Sequence, residues 1–264
     1  MGLAGRGPGP RSRSGCGAEE MNARRIASLL AITLATAGCA TTGAPPSDPW
    51  EGMNRAVFSF NEAVDRAVLK PVATGYEKVV PEFARNAIDN VFGNIGDAWS
   101  AINHLLQAKP QQALEMGLRF SVNTVFGFGG VIDIASEAGL ERRTEDFGQT
   151  LGRWGLGSGP YVVLPLLGPS TLRDTAALTL DLQAQPAAFF DEPRDRYGIA
   201  TLQIINTRAK LLSTTRTLDD IALDKYSLVR DGFLARRRNQ VYDGNPPEEP
   251  ETPDNEGTEA TERK

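Results

Sequence analysis

Few residues of this chain are of the types that carry out chemistry. Of 264 residues one is a histidine, His104, and two are cysteines, Cys16 and Cys39. A histidine triad or histidine general base would have only His104 to use, set beside Leu105 and Leu106 on a helical pattern. Zinc sites of the usual composition need more His and Cys than that. The stretch GLGSGP, 155–160, invites comparison with two glycine loops. The nucleophile elbow G-x-S-x-G requires glycine at 156, where Leu156 stands, and the dinucleotide loop G-x-G-x-x-G begun at Gly155 requires glycine at 160, which is Pro160. No phosphate-cradling G-x-x-x-x-G-K-[ST] occurs. The carboxylate pairs Asp219-Asp220 and Glu145-Asp146 are adjacent in sequence, so their side chains point apart and read as solvated caps. No catalytic residue, metal site or cofactor is expected; only carboxylates gathered from distant segments keep a membrane hydrolase in play.

Cys39 belongs to a different chemistry. Residues 1–20 are rich in Gly, Arg, Ser and Pro without an apolar period and read as a leader without a fold, or as residues ahead of the true start at Met21. From Met21 a positive segment, MNARR, precedes the twelve-residue apolar run IASLLAITLATA and a small-residue cleavage site, the order of a secretory signal over 21–38. Cysteine follows directly in TAGC, Thr36 to Cys39, which resembles the lipobox of bacterial lipoproteins; Thr36 stands where leucine is usual. The resemblance implies a Cys39 that is diacylated on sulfur and becomes the mature first residue, and several acyl chains anchor a protein stably where one does not. A plain secretory signal with a chance cysteine is the alternative. With Cys16 removed upstream, no thiol is left for a disulfide or metal.

Charge is concentrated at one end. Residues 243–264 hold eight acidic and two basic residues, net −6, whereas the body from 39 to 242 is near neutral at −2. The tail is Pro/Glu/Thr-rich and is expected to be disordered, since it cannot bury enough apolar area to offset its ordering entropy. A near-neutral body lacks the basic face of a nucleic-acid binder.

The positioning elements are helices. After a tether, 39–47, Asp48-Pro49 reads as an N-cap with proline at N1, and Met53, Val57, Phe60, Val64 and Val68 repeat at helical spacing until Lys70-Pro71. Pro81 opens a second helix punctuated by Gly93 and Gly96, with Ala98, Ile102 and Leu105 or Leu106 on one face. Pro110 opens a third, striped by Leu114, Leu118, Val122 and Val125, which ends in the elbow Gly127, Phe128, Gly129 and Gly130 and resembles a hairpin entering apolar surroundings. Trp154 to Leu172 runs nineteen residues without a charge yet holds four glycines and three prolines, so it matches the length of a bilayer span without being a helix. STLRD then caps a helix to about Ala184, and further helices are expected over 195–212 and from Thr217 to about Tyr242. Beyond the short YVVLPLL there is no strand pattern, and the fold class is all-α. Irregular apolar backbone at bilayer depth must be packed in protein or line a wet cavity; the alternative is a soluble helical domain with apolar core loops.

Taken in order, DPWEGMNRAVFSFN, KPVATGYEKVVPEFARNAIDNVFGNIGD, RFSVNTVFGFGGVIDIA, RTEDFGQTLGRWGLGSGPYVVLPLLGPSTLRD and NTRAKLL, within about 48–235, resemble the MlaA family of outer-membrane lipoproteins. The resemblance implies amphipathic helices arranged as a disc or ring around a central amphipathic channel, spanning 48–242 and embedded in the inner leaflet of the outer membrane. It implies a protein that takes phospholipids misplaced in the outer leaflet and passes them to a periplasmic carrier of the Mla pathway, with trimeric porins as partners of some members; Ala40 after the cysteine is similar to the outer-membrane sorting signal. The candidate channel or gating residues are Asn90, Phe92, Asn94, Gly127, Phe128, Gly129 and Gly130, each also open to a packing or turn role. Arg119, Arg143, Arg153 and Arg173 are candidates for lipid phosphates, ion pairing being the alternative. A porin-bound structural lipoprotein is the second functional reading.

Overall fold

The computed structural model describes Gly2 and residues 45–248. The signal over 21–38, the lipidation candidate Cys39, the leader apart from Gly2 and the tail beyond 248 lie outside the described residues. Among the described residues ten α-helices follow one another: α1 (Glu51–Val64), α2 (Lys70–Val79), α3 (Glu82–Leu106), α4 (Pro110–Val125), α5 (Ile134–Glu137), α6 (Phe147–Arg153), α7 (Leu172–Gln183), α8 (Pro193–Lys210), α9 (Leu212–Ile221) and α10 (Lys225–Val241). One antiparallel hairpin, β1 (Tyr161–Leu164) with β2 (Gly168–Thr171), interrupts them between α6 and α7 and pairs Tyr161 with Thr171 and Leu164 with Gly168. The fold is all-α, and this ribbon is the one sheet among the described residues. Among the described residues no helix is long and apolar enough to cross a membrane.

Several expected boundaries shift for identifiable reasons. Lys70-Pro71 does not end the first helix. A π-helical turn, Asp65–Leu69, joins α1 to α2, and the Lys70 amide bonds back five residues to the Asp65 carbonyl. Proline lacks a donor and crowds the carbonyl four residues earlier; the wider π turn, with one more residue per loop, accommodates it and the helix continues. Asp48 does not cap α1, whose first turn is preceded by Trp50 without a side-chain bond. Asp48 is instead fully buried. Its carboxylate accepts from Asn54 Nδ2 at 2.8 Å and from the Tyr226 hydroxyl, with the Arg230 guanidinium at 3.4 Å. Gly93 and Gly96 lie within an unbroken α3. The helix expected from Thr217 to Tyr242 is two, because Asp224 starts α10 anew by accepting from the Tyr226 and Ser227 amides. The Thr171 cap of α7 forms as expected and accepts from Asp174 N.

The packing is inverted relative to a soluble domain. Among the described residues, nineteen polar or charged side chains are buried against eleven hydrophobic ones, and the latter include one leucine, Leu212, and no isoleucine, phenylalanine or tryptophan. The apolar stripes face outward instead: Leu105 is 62% exposed, Leu114 65%, Val125 69% and Phe128 79%. In water that arrangement forfeits roughly 1.5–3 kcal/mol per large side chain left unburied. What packs between α3 and α4 is polar. Arg119, 0% exposed, reaches Asp97 Oδ2 at 3.3 Å, both Asp133 oxygens at 3.0 Å and Ser136 Oγ at 3.2 Å, and donates to the Leu140 carbonyl. Arg142 Nε sits 2.9 Å from Asp97 Oδ1, so two guanidiniums flank one buried carboxylate. Burial pushes the Asp97 carboxyl up, against the pull of Arg142 and Arg119. At Asp133 burial also acts upward, but bonds from Ser136 and Asn123 outweigh it and hold the group down at about 2.

A second polar knot ties α3 to the chain before α6 and to the end of α10. His104 Nε2 donates to the Arg143 carbonyl at 3.2 Å, and burial depresses the ring, which is therefore neutral. Gln107 bonds Glu145 at 2.8 Å and Thr150 at 3.1 Å. Lys109 lies 3.5 Å from Glu145 and 2.6 Å from Asp243, the first residue of the acidic tail.

Candidate functional site

Polar residues of α1 and of the π turn that follows it position the site. Asn54, Asn61 and Asp65 recur at intervals of seven and four, which places them on one helical face. Asn54 Nδ2 donates to the Tyr161 carbonyl at 3.0 Å while its Oδ1 accepts from Val163 N at 2.9 Å. Asn61 repeats the exchange one step along the hairpin, donating to the Leu164 carbonyl at 2.9 Å and accepting from Leu166 N at 2.7 Å. Two asparagines thus stand in for the strand that would otherwise pair with β1, and they fix the hairpin turn. Leu166, at φ +63°, and Leu167 are held at its tip, 65% and 62% exposed.

Beside that tip lies a cavity of about 1420 Å³, larger than the ~300–1,000 Å³ of ordinary small-molecule pockets. Its wall comprises the end of α1 and the π turn, the hairpin tip, the 3₁₀ turn Pro186–Phe189, and facing residues of α8, α9 and the start of α10. Part of that wall is apolar, with Phe58, Leu69, Leu166, Phe189, Ile204 and Leu218 among its members. The rest is ionic. Arg208 of α8 holds Asp65 of the π turn with Nε at 2.5 Å and Nη2 at 2.8 Å, and the bond to Asp65 raises the guanidinium pKa. Lys225 bridges Glu62 at 2.8 Å and Asp219 at 2.7 Å. Burial alone would lower the Lys225 pKa, but the bonds to Asp219 and Glu62 raise it on balance, so it stays charged. These pairs cross-link α1, α8, α9 and α10 around the space. An apolar wall studded with fixed charges can accept a molecule having both an apolar body and a charged end.

The seven residues expected for the channel or gate gather elsewhere, around the elbow after α4, and none of them lines the cavity. Asn90 Nδ2 donates to the Val131 carbonyl at 3.0 Å, Asn94 Nδ2 to Thr124 Oγ1 at 2.9 Å, and Phe92 is half-buried on α3. Phe128, Gly129 and Gly130 turn the chain in succession at φ +53°, +73° and +92°. Gly130 N reaches back to the Asn123 carbonyl at 2.9 Å, and Ile132 N to that of Gly127 at 3.0 Å. Gly127 and Gly130 are needed as glycines. A Cβ would lie 2.2 Å from the Ile132 carbonyl oxygen at the first and 2.7 Å from Asn94 Cβ at the second. Asn90 and Asn94 therefore fasten the elbow back onto α3, with Phe128 exposed at its apex.

Of the four arginines weighed for phosphate contact, Arg119 is saturated within the core. Arg173 is bound to Asp174 at 2.9 Å and Arg143 to Glu141 at 3.4 Å, while Arg153 is exposed. Sequence reasoning missed the cavity's own charges. The apolar repeat of α1 is the conspicuous one, but the polar residues Asn61 and Asp65, four apart on the complementary face, line the cavity. The apolar run Trp154 to Leu172 contributes Leu166, Leu167, Gly168 and Pro169 to the wall.

A family model described as MlaA lipoprotein matches residues 46–240. The protein of Escherichia coli strain K12 named intermembrane phospholipid transport system lipoprotein MlaA is 37% identical over 219 residues, covering 80% of this chain and 86% of its own. A protein of the same name from Haemophilus influenzae is 32% identical over 235 residues, covering 85% and 93%. A solved structure described as "Structural basis for maintenance of bacterial outer membrane lipid asymmetry" superposes with a TM-score of 0.65 at 36% identity, covering 75% of this chain and all of that one.

Proposed function

Since the chain belongs to the MlaA lipoprotein family, we propose that it is an outer-membrane lipoprotein that withdraws phospholipids misplaced in the outer leaflet and passes them to a periplasmic carrier. The observation that carries this reading is the 1420 Å³ cavity whose wall combines leucines with fixed ion pairs. Exposing acyl chains to water costs about 0.8 kcal/mol per CH₂, so a lipid with roughly 30 methylenes meets a barrier on the order of 20 kcal/mol. A wall that solvates the headgroup while the tails stay on leucines removes most of that barrier without fuel. Direction must come from the carrier downstream, because a passive path lowers a barrier equally both ways.

The inverted surface supports placement in a leaflet. Leu105, Leu114, Val125 and Phe128 would contact lipid, acylated Cys39 would hold the body at the membrane, and porins would be lateral partners. In this reading the elbow, pinned by Asn90 and Asn94, sets the depth of Phe128. The test follows outer-leaflet phospholipid in a strain lacking the protein, with lysolipid and fatty acid release measured on the purified chain. Accumulation of outer-leaflet phospholipid without hydrolysis products supports the conduit. Unchanged outer-leaflet composition returns the porin-bound structural reading, and products that depend on one carboxylate or serine return the hydrolase.

A further inference from the structure

The cavity's charges do not cancel. Three carboxylates line it, Glu62, Asp65 and Asp219, against five cations. Three of those cations are spoken for: Arg208 by Asp65, Lys225 by Glu62 and Asp219, and Lys70 by Asp219 at 3.9 Å. The two left are Arg66 and Arg196. Arg66 stands on the π turn and has no ion-pair or hydrogen-bond partner among the described residues. Arg196, on α8, donates Nε to the Phe190 carbonyl at 3.2 Å, which fixes the plane of the guanidinium and leaves its two terminal nitrogens without a protein partner among the described residues. Both are exposed, so neither is needed to neutralise a buried charge. Two forked, permanently charged donors lining a cavity that leucines also line suit a phosphodiester. Their surplus of two positive charges distinguishes a headgroup with net negative charge from a zwitterionic one, in which an ammonium would be placed against the same arginines.

We propose that Arg66 and Arg196 make the cavity selective for phospholipids whose headgroup carries net negative charge, such as phosphatidylglycerol, over zwitterionic phosphatidylethanolamine. This rests on the phospholipid reading above and adds to it a charge preference with named determinants. The test offers the detergent-purified mature protein an equimolar mixture of phosphatidylglycerol and phosphatidylethanolamine and counts single-lipid adducts by native mass spectrometry. It compares the wild type with Arg66→Gln/Arg196→Gln and with Arg236→Gln, an exposed arginine of α10 outside the cavity. The expected result is a preference for the anionic lipid of about fivefold, the upper end for exposed ion pairs, in the wild type and Arg236→Gln, and near parity in the double variant with total lipid bound unchanged. Lipid binding without preference in the wild type, or a preference that survives in the double variant, overturns the proposal and leaves the conduit standing. No lipid adduct on any of the three overturns the phospholipid reading and the selectivity with it.

Discussion

Replacing Arg119 with methionine tests whether buried charge, rather than apolar burial, holds the helical pair α3 and α4 together. The guanidinium is fully buried and bonded to Asp97, Asp133, Ser136 and the Leu140 carbonyl. Methionine fills similar length but satisfies none of these groups. Removing one partner of a buried ionic set costs about 3–5 kcal/mol because the charge left behind is uncompensated. Arg142 Nε, 2.9 Å from Asp97 Oδ1, softens the loss at that carboxylate, which favours the lower end. For a chain of this size that corresponds to a fall in unfolding midpoint of about 6–20 °C. The assay is thermal unfolding of the purified protein in detergent, followed by far-ultraviolet circular dichroism. Adding Asp97→Asn to Arg119→Met removes the more deeply buried of the two carboxylates that lose Arg119 and is expected to restore about 1–2 kcal/mol, a coupling normal for contacting residues. A loss below ~1 kcal/mol in the single variant, or no recovery in the double, would refute the reasoning, since the interior would then be held by something other than these charges.

Three further outcomes follow from the same structure. Burial keeps His104 neutral, so the unfolded chain binds the proton more readily; stability is full above the ordinary imidazole value of 6.5 and falls as pH drops below it, and His104→Gln removes that slope from a pH series of unfolding midpoints. Gly130→Ala combines left-handed strain with a clash at Asn94 and is expected to destabilise by about 2–3 kcal/mol, whereas Gly129→Ala, with open space around it, bears strain alone at about 1 kcal/mol; equal midpoints for the two would discount the Asn94 contact. Leu114→Ser with Leu118→Ser strips two half-exposed leucines from the outer face of α4; it is expected to lower vesicle partitioning of the unlipidated Cys39→Ala protein by about 2–3 kcal/mol, roughly 30–150-fold, and unchanged partitioning would mean that this face does not meet lipid.

Much of the helical order was readable because its signals are local. Pro110 begins α4, Thr171 caps α7, and the glycines after Val125 end a helix, each acting within a turn of itself. The π turn at Asp65–Leu69 escaped because proline's usual effect is to stop a helix, and the alternative depends on a five-residue bond that leaves no mark in composition. Asp48 was misplaced because the groups that claim it, Tyr226 and Arg230, lie nearly 180 residues away. The cavity was hidden for the same reason. Its ion pairs join Asp65 to Arg208 and Glu62 to Lys225 across distances no periodicity reports, whereas the elbow glycines are conspicuous in sequence because the turn they make is local.

The inverted distribution of side chains also reverses which substitutions this protein should tolerate. On the outer faces of α3 and α4, exchanging one large aliphatic residue for another is expected to cost little, because these side chains are exposed rather than packed in the interior. Inside, where Asn103, Thr150 and Gln107 share hydrogen bonds, even an amide-to-carboxylate change strands a donor or adds a charge. Divergence across a set of relatives is therefore expected to run fastest through the leucines and slowest through the asparagines.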